Sequence, residues 1–132
     1  MVDALKSRQA PEGAQVFFVS PAAGATVEKT FTVKLGVEGM GLKPAGDQTP
    51  HTGHLVVAID APAFRSDQPV PTSRVEPGAV LATPAVVNLS KAETTAEFVL
   101  APGQHTLRAE IVDQYHVPFK PSISSEITVT VA

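Results

Sequence analysis

Histidine supplies most of the chemistry available to this 132-residue chain: four histidines, no cysteine, and Met40 as the only methionine besides Met1. His51 and His54 stand as His51-Thr52-Gly53-His54 within a Gly/Pro-rich stretch from Met40 to Asp60, which narrows into an apolar run. His116 stands in a second polar stretch, Asp113-Gln114-Tyr115-His116-Val117-Pro118. Imidazole nitrogens accept copper or zinc, and a thioether selects Cu(I). Met40, His51, His54 and His116 are therefore the candidate metal ligands, with Asp113 as a carboxylate behind them to orient an imidazole. A structural alternative stands beside this one. His54 can cap a sheet end on a backbone carbonyl, and a lone methionine often fills a gap in an apolar layer.

The elements that must position these residues read as strands. Gln15 to Val19 is an apolar run closed by Ser20-Pro21. From Thr30 to Val37 the chain alternates, with Phe31, Val33, Leu35 and Val37 on one face, as a half-buried strand does. His54 to Ile59 is apolar on both faces and predicts a central strand. Val86 to Leu89 reads as a short strand, and Thr95–Leu100, Gln104–Val112 and Ser125–Val131 alternate again. Between Asp60 and Pro84 five prolines remove ladder donors, predicting a meandering connection with at most a short edge strand near Val80-Leu81. About seven short strands without an amphipathic helix predict an all-β, immunoglobulin-like antiparallel β-sandwich, with a closed barrel as the alternative. Residues 1–14 are expected as a flexible N-terminal arm and 15–132 as one sandwich domain.

In an immunoglobulin-like sandwich the loop before the 54–59 strand and the loop after the 104–112 strand emerge at one end. That geometry is expected to bring Met40, His51 and His54 together with Asp113, Tyr115 and His116. His105, just after Pro102-Gly103 and on the face of Leu107 and Ile111, is expected instead to bond the turn backbone as a corner residue.

Composition excludes several classes. A net charge of −3, with the ten Lys and Arg scattered singly, gives no basic footprint for nucleic acid. No apolar run approaches the roughly 20 residues that span a bilayer, so no membrane span is expected. Apolar residues at 43% and charged ones at 17% argue for a packed core rather than disorder. There is no G-x-S-x-G, no H-E-x-x-H and no phosphate-cradling glycine loop. The chain is read as non-catalytic.

Several phrases resemble a bacterial family of exported domains of uncharacterised function. They are Phe18-Val19-Ser20-Pro21-Ala22-Ala23-Gly24-Ala25-Thr26-Val27, Val37-Glu38-Gly39-Met40, Thr52-Gly53-His54, Ala101-Pro102-Gly103-Gln104-His105-Thr106-Leu107 and Ser125-Glu126-Ile127-Thr128-Val129. In order, they span nearly everything from Val16 to Val131. The resemblance implies a periplasmic or secreted β-sandwich with a histidine-rich end. The chain departs from it where the family runs several histidines and this sequence has His54-Leu55-Val56. It departs again at Phe119 and near Asn88, where the family carries further histidines.

Two functions follow as expectations. One is an exported metal-binding module, with copper as the foremost ion, held by Met40, His51, His54 and His116. The other is a non-catalytic adhesion or envelope-assembly module, with an envelope protein or glycan as partner and the metal site lost. Its motive is the long Pro-rich connection, since surface loops of that length are usually kept for binding.

Overall fold

The computed structural model describes residues 9–44, 52–64, 68–76 and 78–132, and among them there is no helix. The strands are β1 (Gln15–Ser20), β2 (Thr26–Val27), β3 (Thr30–Glu38), β4 (Gly41–Leu42), β5 (Thr52–Ile59), β6 (Ala85–Leu89), β7 (Thr95–Val99), β8 (Gly103–Val112) and β9 (Ser124–Val131). They form two layers. The smaller sheet runs β1-β3-β7; the larger runs β2-β9-β8-β5-β4, with β6 also paired to β5. β1, β3 and β7 correspond to strands A, B and E of an immunoglobulin-type sandwich, and β9, β8, β5 and β6 to G, F, C and C′. The sandwich is open, not a closed barrel. The ladders are antiparallel except the short β2–β9 and β4–β5 pairings.

Seven of the nine strands fall where alternation and turn residues place them. β2 and β4, two residues each, are too short to carry a period. No strand forms at Val80-Leu81; only the Leu81 amide reaches the sheet, donating to the Val99 carbonyl at 2.8 Å. The expected loose arm is docked from Gln9 on. The Ala10 amide donates to the Lys120 carbonyl at 2.9 Å, and Ala10 and Ala14 pack against the core.

Between the layers lie Val33 and Leu35 of β3, Leu55, Val57 and Ile59 of β5, Leu107 and Ile111 of β8, and Val129 of β9. The Phe31 and Phe98 rings meet edge to face at 6.2 Å. β5 is buried on both faces. Its odd-numbered residues enter this core, while Val56 and Ala58 join Val70, Val86 and Val112 in a second cluster on the outer face. At Gly53 the inner face leaves no room for a side chain: an added Cβ would lie 2.2 Å from the Val112 carbonyl oxygen and 3.2 Å from the Phe119 ring.

His105 is the expected corner residue. Nε2 lies 2.8 Å from the Ala101 carbonyl oxygen and Nδ1 lies 2.6 Å from Oδ2 of Asp60. Asp60 in turn accepts the Thr106 amide on Oδ1 at 2.8 Å. Two acceptors facing both ring nitrogens favour the imidazolium. Burial opposes the charge, but the Ala101 and Asp60 acceptors outweigh it and raise the pKa.

Two predictions follow from these contacts. Gly53→Ala forces the β5–β8 ladder apart and costs about 1–3 kcal/mol, read as a lower urea midpoint at unchanged m value. Because the native His105 pKa is raised, its stabilisation is complete below the unfolded value of about 6.5 and fades as pH rises through the native one. Asp60→Asn is therefore expected to destabilise more at pH 5.5 than at pH 9, and equal losses at both would contradict the imidazolium pair.

Candidate functional site

Strand alternation sends His54 to the outer face of the larger sheet, alongside Val56 and Ala58. It pairs in register with Val112 of β8, and Asn88 of β6 pairs with Val56. His116 arrives from the β8–β9 loop. The turn that carries it is built by Asp113: Oδ1 accepts the Tyr115 amide at 2.8 Å and the Val117 amide at 3.0 Å. The His116 amide donates to the Asp113 carbonyl at 3.0 Å, and His116 sits at φ 66°. That left-handed conformation is one histidine tolerates better than most residues. Asp113 therefore positions His116 through the backbone of its own turn.

The two imidazoles meet edge to face, with centroids 4.8 Å apart and planes at 78°. His54 is fully buried, and neither of its ring nitrogens has a hydrogen-bond partner among the described residues. His116 is held from behind by the Asn88 carboxamide, whose Nδ2 lies 2.8 Å from Nε2. In that orientation Asn88 Oδ1 is buried without a partner. Turning the carboxamide by 180° makes Oδ1 the acceptor of an Nε2–H and leaves the His116 Nδ1 lone pair available.

Burial, and next the neighbouring His116, lower the His54 pKa to about 4; the Asn88 carboxamide, near the ring but beyond hydrogen-bond geometry, and the Asp113 carboxylate oppose this less strongly. His54 is thus a neutral imidazole at physiological pH. Glu110 lies farther along the same outer face, opposite Val56 on β8. It too is buried, and desolvation pushes its carboxyl up to about 7 despite the Ser122 hydroxyl at 3.2 Å and the charge of Arg108.

The sequence-predicted residues divide. His54 and His116 come together, with Asp113 at the base of the second loop. Met40 does not join them. It packs against the core between the layers, on the face of β5 opposite to His54, because one residue of strand separates the two faces. His51 lies outside the described residues. Asn88 was signalled only as a position where related sequences carry histidine; its bond to His116 is a long-range consequence of β5–β6 register. No group of three or more His, Cys, Asp or Glu capable of holding a metal occurs among the described residues.

Residues 33–132 match the family described as Domain of unknown function (DUF4399). The chain belongs to this family. No curated protein and no solved structure matches it. The DUF4399 match runs from Val33, within β3, through β9 and so contains every residue of the His54–His116 cluster.

The two shifted groups set opposite pH slopes in this DUF4399 chain. His54, lowered to about 4, stabilises the native state above pH 6.5, and that contribution is lost as pH falls through 4. Glu110, raised to about 7, stabilises it below pH 4.5, and that contribution is lost as pH rises through 7. Urea unfolding between pH 4.5 and 6.5 is expected to be nearly flat for the wild type. His54→Gln leaves stability falling with rising pH, and Glu110→Gln leaves it rising. Parallel profiles for all three proteins would show that these groups are not the ones titrating.

Proposed function

We propose that the chain is a non-catalytic, exported metal-binding module whose ion is held by His54 and His116 on the outer face of the larger sheet. One observation carries the reading: a fully buried imidazole, neutral at physiological pH, with both ring nitrogens unpartnered among the described residues and a second imidazole 4.8 Å away. Leaving a buried polar group without a partner costs about 1–3 kcal/mol, so a neutral ring in this position is stabilised by whatever its lone pair can bind.

The donor set fits a transition ion. His54 and His116 would hold it, each through one ring nitrogen, with the remaining positions filled by water or a further donor. Copper(II) binds nitrogen donors most tightly among the divalent first-row ions. Asn88 fixes the His116 ring from behind, the arrangement metal-binding imidazoles use. With Met40 on the opposite face, the thioether argument for Cu(I) falls away, and Cu(II) and Zn(II) become the ions to test first. His51 is the further imidazole the sequence offers.

A second reading is supported by an apolar cavity of about 220 Å³ along the Pro-rich connection, lined by Pro62, Phe64, Pro69, Val70 and Val86. It favours an adhesion or envelope-assembly module that takes an apolar group of a partner there. One titration separates the two. Calorimetry of metal-free protein with Cu(II), Zn(II) and Cu(I) is expected to show one-to-one binding that is lost in His54→Ala. Asn88→Ala is expected to weaken it about 10–100-fold. Binding that survives His54→Ala/His116→Ala, or none tighter than millimolar, overturns the metal reading and leaves the partner-binding one.

A further inference from the structure

The described residues between β5 and β6 lie almost wholly outside the core. Among those described, Val70 alone is buried. It is flanked by Pro69 and Pro71, which have no amide hydrogen, so the Val70 amide is the one backbone donor of this three-residue stretch. That amide donates to the His116 carbonyl at 2.8 Å. Its side chain enters the outer-face cluster with Val56, Ala58, Val86 and Val112. Val112 is the register partner of His54. Three residues on, Ser73 is tied to the edge of β6: its amide donates to the Val86 carbonyl at 2.8 Å, and its hydroxyl accepts the Val86 amide at 2.9 Å.

The segment 68–73 is therefore fixed at two points, with no ladder between them. One of those points is the backbone of a histidine in the candidate site. A segment with so few buried apolar contacts and so few hydrogen bonds belongs to the low-stability end of a fold, where local opening precedes global unfolding.

We propose that residues 68–73 form a strap, latched by Val70 over the outer face of the larger sheet, and that release of this latch admits solvent and ions to His54. Its functional meaning rests on the metal reading above, but the opening itself is independent of any ion. Loss of the valine side chain frees the strap, and the His116 turn loses its brace at the same time. Ser73 then acts as the hinge that keeps the strap in register with β6.

Reaction of the full chain with diethylpyrocarbonate, followed by peptide mass spectrometry, reads access to each imidazole. Val70→Ser is expected to raise the modification rate of His54 about tenfold while His105, buried on β8 beside Asp60 at the far end of the sheet, keeps its wild-type rate. Ser73→Ala is expected to raise the His54 rate by a smaller factor. An unchanged His54 rate in Val70→Ser overturns the latch. So does a parallel rise at His54 and His105, which would report global opening. Stopped-flow mixing with Cu(II) supplies the second arm. Faster uptake by Val70→Ser joins the strap to the ion site. Selective His54 modification with no copper uptake by either protein keeps the strap and overturns the metal reading alone.

Discussion

β5 is buried on both faces, and the rest of the molecule is arranged by that constraint. A strand has only two sides. With Leu55, Val57 and Ile59 committed to the space between the sheets, His54, Val56 and Ala58 must lie on the outer face. An outer face carrying valine and a neutral imidazole cannot be left to water without losing its apolar burial. The Pro-rich connection and the β8–β9 loop cover it, the first through Val70 and the second through His116. Gly53 fixes the phase: a side chain there would collide with the Val112 carbonyl, so the strand cannot slip by one residue and exchange its faces.

The same constraint sets the electrostatics. Desolvation disfavours whichever form of a group is charged, so it acts in opposite directions on a base and an acid. His54 and Glu110 share the outer face, and burial makes the first hard to protonate and the second hard to ionise. Both are neutral over a common range, and the face can be covered by apolar residues without a counter-ion. The buried Asp113 side chain accepts two amides of its own turn.

Much of this was legible in the sequence, and the boundary has a physical origin. Alternation in Thr30–Val37 and Ser125–Val131 records which side of a strand meets the core, so the layers and their core residues could be read directly. The convergence of His54 with His116 followed from strand order alone. Met40, grouped with them by loop proximity, packs instead against the inter-layer core, because proximity in a loop does not say which face of β5 a residue reaches and a single-residue offset decides that. Asn88 was invisible as a partner of His116 because the contact depends on β5–β6 register across a 25-residue connection (60–84) that has no periodicity to read. The docked segment around Ala10 was missed for a similar reason. Its hold on Lys120 is made by backbone groups, which every sequence possesses.

The two buried histidines of β5 and β8 show what is unusual about the first of them. His105 uses both ring nitrogens, one on the Ala101 carbonyl and one on Asp60, and its charged form is favoured. This sandwich can therefore satisfy an imidazole completely, with no more than a turn carbonyl and one carboxylate. His54 is more deeply buried and has neither bond among the described residues. A leucine or valine there would bury as much apolar surface without an orphaned nitrogen, and stability alone would favour it. Sites that break a local rule at a cost in stability are where function is expected to reside. The neighbouring imidazole and its Asn88 support lie beside that one residue, and on the metal reading proposed above a ligand that accepts the His54 lone pair gives the arrangement a common purpose.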